Sequence, residues 1–563
     1  MKQGAFSIFL HSHLPYCRQA GRWPHGEEWI HEAAAGCYLP LLQAFQELSE
    51  EGSPFRLTIG VTPVLAEQLT DNLVQEHLEE YLDDRIGLAS EDVERFELAG
   101  GGHMAHLARF FMHRYEHLLD DYRNRFGRNI VQALREFQDQ GYVEVATSAA
   151  THGYLPLLQR DSSIYGQLRA GVDAYERHFG RRPRSIWLPE CGYRPAYYAQ
   201  GDATSYVRPG LESYLAELGL QSFFVETHTV EGGSPGGKAA GDAIGPYASV
   251  PRRYVVPPPS EIPPTRKTTF QPYWVEPGQV AVFGRNSRTS LQVWSAEHGY
   301  PGEALYQDFH KRDGNSGLRY WRVTGPRVDL GHKEPYDPWR AEKMVKAHAE
   351  HFVSVVEAQV AAFNRETGKY GIVLAAYDTE LFGHWWFEGV DWLEAVLRRL
   401  AESEVVELTT PSRYLEEHPP EETISLPETS WGQGGGHFTW LNVDTQWMWP
   451  VIHEAEHRME RLIERHPDAD GALLQTLTQA ARELLLLESS DWPFLVTTGQ
   501  AKEYAIDRFK NHVQRFHQLA DAAEGDKISQ SQASYCREMC ELDKLFPKLD
   551  YRIFRNRQGL VPA

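Results

Sequence analysis

IVLAAYDTELFGHWWFEG, residues 372–389, decides the fold and points to the chemistry. Its first six residues, Ile372 to Tyr377, carry no charge and are rich in branched and aromatic side chains, the pattern of a buried strand. Polarity arrives at once where that strand must end, with Asp378, Glu380 and His384, followed by Trp385 and Trp386. An apolar strand that terminates in acids, an imidazole and indoles has the composition of the active-site face of an α/β barrel. Acids placed there can transfer protons or attack an electrophile, and indoles offer flat faces to a sugar ring. The plainer reading makes Asp378 a helix cap and buries Trp385 and Trp386 in the core. A cap accounts for one acid and leaves the cluster unexplained.

Working outward, strand-like runs recur at 5–10, 55–61, 142–148, 184–190, 220–226, 279–285 and 404–409, with helical patterns such as 164–179 and 341–365 between them. This alternation predicts parallel strands joined by right-handed crossovers. Seven or eight strands favour a closed or nearly closed barrel, and their irregular spacing predicts distortion. The catalytic unit is expected over residues 1–410, with 63–140 as a helical insertion. Residues 229–248, with six glycines between 232 and 245, follow a strand end and are expected to form a flexible lid. Residues 256–275 are proline-heavy and read as a rigid, extended connection. Composition shifts again at 411–430, and long helical patterns near 444–466, 470–488, 499–523 and 530–545 predict a C-terminal helical-bundle domain over 411–563.

At 563 residues the chain exceeds one ordinary domain but fits a barrel plus a second domain. A formal net charge of −22 argues against nucleic acid, anionic membrane and anionic substrate, while 15 Trp and 27 Tyr suit a neutral polymer. The apolar run at 5–10 is too short for a signal or transmembrane segment, and none is predicted elsewhere. Five scattered cysteines read as reduced thiols in a cytoplasm. Cys536 and Cys540 stand four apart on a predicted helix, and two ligands do not make a zinc site, so they read as packing.

Residues at the carboxyl ends of the strands are His11, His13 and Tyr16, then His152, Glu190, Arg285, and finally Asp378, Glu380 and His384. In a barrel these ends share one face. His11 and His13, alternate residues of one strand, point to the same side and read as a metal site or as a polar substrate clamp. Glu190 follows an apolar strand and a proline, and is either a buried ion-pair partner or a catalytic acid. Asp378 as a second carboxylate favours catalysis. Two carboxylates are the minimum equipment for cleaving a glycosidic bond, and a retaining enzyme holds them about 5–5.5 Å apart. The proton donor must keep its proton near neutrality, which a pocket walled by Trp385 and Trp386 would encourage. His103 and His298 receive no role, and Trp187 and Trp321, inside strand-like patterns, are assigned to the core.

HSHLPY (11–16), ATSAATHGYLPLL (146–158), IWLPECGYRP (186–195) and AYDTELFGHWWFEG (376–389) resemble the regions that define glycoside hydrolase family 57. LQVWSAEHGYPGE (291–303), WGQGGGHFTWLN (431–442) and SSDWPFLVTTGQAKEYAIDRF (489–509) resemble its 1,4-α-glucan branching-enzyme subgroup. The resemblance implies a distorted (β/α)7 barrel with a helical insertion and a helical C-terminal domain. It implies Glu190 as nucleophile, Asp378 as acid/base, and His11, His13 and His152 clamping the sugar, with no metal or other cofactor. It extends the substrate contacts to Trp23, Trp29, Trp294, Trp431 and Trp440, and brings Asp491 and Trp492 to the cleft from the C-terminal helices. Arg285, His384 and Trp385, at strand ends, complete the expected contact set. Tyr247, the one tyrosine between 227 and 253, takes the lid role. Each stacked indole would bury about 100 Å² of sugar-facing area, about 2 kcal/mol at most, so a row of them holds a polymer.

The expected partner is therefore an α-glucan, bound by a cytoplasmic monomer or weak homo-oligomer, with neither nucleic acid nor membrane. An α-amylase or 4-α-glucanotransferase on the same scaffold is the alternative. A metal-dependent polysaccharide deacetylase using the three histidines, and a catalytically dead glucan-binding protein, are the readings outside that class.

Overall fold

The computed structural model describes residues 2–200, 205–235, 261–294, 299–525 and 527–557. Its strands, in chain order, are β1 (Gly4–Ser12), β2 (Leu57–Val61), β3 (Val143–Ala146), β4 (Tyr197–Gln200), β5 (Ser205–Arg208), β6 (Ser222–Val225), β7 (Tyr273–Val275), β8 (Ala281–Gly284), β9 (Gly371–Asp378), β10 (Val406–Leu408) and β11 (Thr423–Ile424). The architecture is mixed α/β with predominantly parallel pairing.

β1 is buried at every position and is the hub of the first sheet. One of its edges pairs in parallel with β9 along Gly4–His11. Its other edge is shared, β10 taking Gly4–Phe6 and β2 taking Phe9–Ser12. β2 pairs with β3. From there the parallel pairing continues through single bridges, Thr147 to Ile186 and Ser185 to Ser222, into β6 and β8, and Arg285 bridges to Leu374 of β9. A small cluster packs side chains of these strands against one another, including Phe9, Ala146, Trp187, Phe224, Phe283 and Leu374.

The run 184–190, expected as a strand, pairs only through those bridges and turns at once into the 3-10 segment Pro189–Cys191. Pro189 has no N–H to give a ladder, and Glu190 takes a left-handed backbone (φ 59°, ψ 25°), so pairing stops there. The proline-heavy stretch is not wholly an extended connection either, since β7 pairs antiparallel with β8. The start of the expected lid, Thr227–Glu231, is a helical turn in which Thr229 and Val230 are buried. Residues 236–248, with Tyr247, lie outside the described residues.

The insertion forms helices Pro63–Leu69, Asn72–Leu98, Gly102–Asp120 and Ile130–Asp139. Helix Pro338–Thr367 begins at Asp337, whose carboxylate accepts from the amides of Trp339 and Arg340, and ends at Gly368 in the left-handed region. The C-terminal helices are Met448–Arg465, Gly471–Leu487, Asp491–Thr498, Lys502–Glu524 and Gln530–Leu542. They share one hydrophobic core with the strand-and-helix region, in which Tyr154, Ile186 and Phe223 pack with Leu484, Phe509 and Phe516. A second docking runs through the loop after β1, where Tyr16 and Arg18 donate to the carbonyls of Leu542 and Glu541. The C-terminal helices are thereby fixed against the strand ends.

Candidate active site

Three imidazoles come together where β1 and β3 end. His11 lies flat on the Trp187 indole (centroids 4.4 Å apart), and its Nε2 is 3.1 Å from Nε2 of His152, so one of the two carries the shared proton. Burial, reinforced by the neighbouring imidazoles, drives His11 and His152 well below the usual histidine range and keeps both neutral. His13 is held at both nitrogens, by Thr62 Oγ1 at 3.0 Å and by Asp491 Oδ1 at 2.9 Å. His152 sits in a left-handed backbone (φ 58°), secured by Ser490, whose Oγ meets its Nδ1 at 2.9 Å and whose amide donates to its carbonyl. Ser489 Oγ donates to Asp491 Oδ2 at 2.6 Å. The segment 489–491 therefore braces the imidazoles from the C-terminal helices.

Three carboxyl groups face this cluster. Glu190 lies on its left-handed turn beside Cys191, also at positive φ, a conformation that costs of order 1–3 kcal/mol per residue and persists only when neighbours enforce it. The enforcing neighbour is Trp431, whose backbone N–H donates to the Glu190 carbonyl while its indole Nε1 donates to Oε2 at 2.6 Å. Oε1 lies 3.9 Å from His152 Nδ1. Burial pushes Glu190 up to about 8, with the Trp431 bond opposing and the charges of Asp378 and Asp491 adding to the rise. Asp378, the last residue of β9 and in register with His11, is pushed up to about 7 by burial against the opposing charges of Arg285 and His13. Glu380 accepts from the Tyr38 hydroxyl and from the His13 amide (3.1 Å), and burial pushes it up to about 8. The charge of Asp378 adds to the rise of both glutamates, so the three carboxyls stand close to neutrality together.

The other residues predicted from sequence are placed less uniformly. Trp431 is at the cluster. Arg285 reaches it only as a fixed charge, its guanidinium bound to Glu226 at 2.5 Å and lying 5.7 Å from the Trp431 ring. Trp440 is not an open platform but is fully buried, stacked on Tyr154 at 4.1 Å. Trp492 is equally buried, with Nε1 donating to the Leu486 carbonyl. Trp386 is buried, packed among Tyr306, Phe382 and Trp392, so the plainer reading holds for it. Trp385, Trp294 and Trp29 are half-buried against the main core, and Trp29 meets Tyr504 edge-on. Trp23 is 77% exposed. His384 turns away from the carboxyls toward Glu32, 3.9 Å off, in a separate cavity.

Four contributors escaped the site assignments made from sequence: Glu380, Tyr38, Thr62 and Ser490. Glu380 was visible as a strand-end acid. Ser490 lies inside the 489–509 motif beside Asp491 but is given no role by it, and Tyr38 and Thr62 sit in segments whose local signal is helical or polar, so tertiary contact brings them in.

His13, His152 and Asp491 present ligand atoms within 4.8 Å of one another, close enough to grip a cation. Each donor is already engaged, His13 with Thr62 and Asp491, His152 with Ser490. The donor set, with its bonds already made, fits a polar clamp for hydroxyls better than a metal centre. Two buried carboxyls raised toward pH 7, beside such a clamp and an indole, are the groups needed to attack and protonate an acetal.

These features define an enzyme of carbohydrate type, and the comparisons place it. Residues 7–427 match glycosyl hydrolase family 57, and residues 451–554 match the C-terminal region of 1,4-alpha-glucan branching enzymes. The chain belongs to glycosyl hydrolase family 57. It is 45% identical over 547 residues to the 1,4-alpha-glucan branching enzyme TK1436 of Thermococcus kodakarensis, covering 97% of this chain and 77% of that protein. The crystal structure of TK1436 in complex with glucose and additives superposes with a TM-score of 0.89 at 42% identity, over 99% of this chain and 97% of that one. The GH57-type branching enzyme from Pyrococcus horikoshii gives 0.87 at 40% identity over the whole of both chains. The alpha-amylase AmyC from Thermotoga maritima gives 0.81 at 31% identity, over 98% and 99%.

Proposed function

We propose that this chain is a 1,4-α-glucan branching enzyme, cutting α-1,4 linkages of a glucan and rejoining the freed segment through an α-1,6 bond. The carrying observation is the two buried carboxyls raised toward neutrality, Glu190 on a strained turn and Asp378 at the end of β9, in a chain this similar to two branching enzymes.

Glu190 attacks the anomeric carbon while Asp378 gives its proton to the departing glucosidic oxygen. The covalent glycosyl ester is then opened by the 6-hydroxyl of an acceptor chain, whose proton returns to Asp378. Glu190 must start ionised while Asp378 keeps its proton, a minority form with Glu190 at about 8 and Asp378 at about 7, and the indole N–H of Trp431 is the group that favours it. His11, His13 and His152 hold the hydroxyls of the sugar under attack. Water in place of the acceptor gives hydrolysis, the outcome expected of an amylase, which AmyC shows this scaffold can support.

The scaffold reads as a distorted (β/α)7 barrel over 1–410. Supporting this, parallel pairings lead from β1 through β2, β3, the 185–186 bridges, β6 and β8 to β9 and back to β1, while β10 intrudes on the β1 edge. Residues 411–563 form a helical domain that completes the site through Trp431 and 489–491. A cytoplasmic setting is favoured by five free cysteines, and among the described residues no helix is long and apolar enough to cross a membrane. The partner is the glucan itself, met by a monomer or weak homo-oligomer.

Incubation with amylose tests the reading. We expect α-1,6 linkages, counted after enzymatic debranching, to rise well ahead of reducing ends. Reducing ends without new branch points would make the protein an amylase instead.

A further inference from the structure

A second cavity lies on the far side of the turn that follows β9. It is bounded by the helical insertion, by helix Glu28–Ala33, by the loop around 307–319 and by Gly383 and His384. Its volume is about 60 Å³. One ordered water needs about 10–15 Å³ by the same measure, so the space suits roughly four or five waters, or one tetrahedral oxyanion with a little to spare.

The lining reverses the charge of the molecule. The chain as a whole carries 78 acidic against 56 basic residues, whereas this lining presents Arg85, Arg114, Arg312 and Arg319 against the single carboxylate of Glu32. Arg312 pairs with Glu32 at 2.9 Å. Burial opposes ionisation of Glu32, and Arg319, His384 and Arg312 together more than offset it. One carboxylate is thus already committed among several guanidiniums. Beyond the lining, Glu28 lies within electrostatic reach of Arg85, and Asp391 of Arg114.

The remaining donors are poorly satisfied. Arg319 gives Nε to the Phe309 carbonyl at 2.9 Å and rests on the Phe309 ring, while its Nη2 is buried with no hydrogen-bond partner. Nε of Arg85 is likewise buried and unpartnered, its guanidinium lying over Tyr81. Arg114 lies over Phe387. The half-buried guanidiniums of Arg85 and Arg319, stacked on rings and each with one buried N–H unmatched, are preorganised for contact with an oxyanion, and leaving such an N–H without a partner is costly.

We propose that this cavity binds a phosphoryl group, presented as inorganic phosphate or as a hexose phosphate. Such an occupant ties together three segments, Arg85 and Arg114 of the insertion, Arg312 and Arg319 of the 307–319 loop, and the Gly383–His384 turn that follows Asp378 and Glu380. The site is separate from the glucan cleft and does not depend on the branching assignment.

Isothermal titration of the full chain with inorganic phosphate, with a hexose phosphate, and with sodium chloride as ionic control tests this. The expected result is saturable binding of at least one phosphoryl ligand and none of chloride. Binding should weaken at least about tenfold in Arg319→Gln or Arg114→Gln, each made singly, with circular dichroism and turnover on amylose unchanged. Tighter binding of the hexose phosphate assigns the sugar phosphate as ligand, and equal or tighter binding of phosphate assigns the free ion. No saturable heat from either up to about 10 mM, or undiminished binding in both variants, overturns the proposal.

Discussion

Two buried clusters in this molecule use the same residue types and do opposite things. Among the C-terminal helices, His512 Nδ1 meets Glu483 Oε2 at 2.8 Å and lies 3.9 Å from Asp543 Oδ2. At the strand ends, His13 meets Asp491 at 2.9 Å and His152 lies 3.9 Å from Glu190. The first is sealed, its three side chains 0%, 0% and 1% exposed. It is also supplied with cations, since Arg508 donates to His512 Nε2 and Arg515 pairs with Asp543 at 2.6 Å. The second is open on one side, with Glu190 at 15% and Asp491 at 13% exposure. Its nearby guanidinium, Arg285, is held by Glu226, and both Glu190 and His152 stand in left-handed backbone. Composition therefore does not mark the cluster proposed to react. Access, stored strain and a shortage of counter-cations do.

The contrast breaks most sharply under substitution. Glu190→Gln or Asp378→Asn should lower turnover on amylose by on the order of 10³-fold or more while circular dichroism stays native. His512→Ala should do the reverse. It strands Glu483 and Arg508 in a sealed interior and should cost about 3–5 kcal/mol of stability, with turnover per folded molecule within about twofold. A folded, inactive His512→Ala, or an active Glu190→Gln, would show that the two clusters have been assigned the wrong way round.

The raised carboxyls also leave a mark on stability. Asp378 stands at about 7 in the folded chain against an ordinary value of 3.8, because burial disfavours its charge. A carboxyl raised in this way binds its proton more tightly folded than unfolded. The stability it contributes is complete below the ordinary value and is lost as pH rises toward and through 7. Asp378→Asn cannot ionise and escapes that loss. Its melting temperature relative to the parent should climb between pH 5 and pH 8, by an amount worth about 2–3 kcal/mol of a ceiling near 4. A difference that stays flat across that range would mean that Asp378 is ionised without penalty.

Much of this was legible in the sequence, for reasons the structure makes plain. β1 and β9 are uncharged branched runs whose polar ends had to face a common surface, and the 3.6-residue patterns of the insertion and of the C-terminal helices are strong. The segment 184–190 misled because its apolar pattern is real but Pro189 and the turn at Glu190 end the ladder after two residues. Tryptophans misled most. Trp431 and Trp440 share one glycine-rich motif, and nothing local separates them. The loop folds back through the bond from Ser430 Oγ to the Gly436 carbonyl and through Gly434 at φ 73°, which sends one indole to Glu190 and the other under Tyr154. The braces from Ser490 and Asp491 lie 338 and 478 residues from their histidines, beyond any local pattern.

That pair of tryptophans supplies the smallest and most discriminating test. In the proposed mechanism Glu190 must be ionised to attack, and Trp431 Nε1 at 2.6 Å is a direct donor to it. Trp431→Phe keeps the ring and removes the donor, so the Glu190 carboxyl should rise further above its present value of about 8. Because Asp378 stands lower, at about 7, it is the basic limb of kcat/KM that follows Glu190. That limb moves to higher pH by about one unit, the worth of a hydrogen bond to a charged group, and activity relative to the parent drops about tenfold at pH 7 and recovers most of that loss by pH 9. Trp440→Phe touches no carboxyl and should leave the limb in place, losing only a little stability. A limb unmoved by Trp431→Phe would remove Trp431 from the control of Glu190, and a limb moved equally by both variants would mean that the loop acts through its fold and not through the indole N–H.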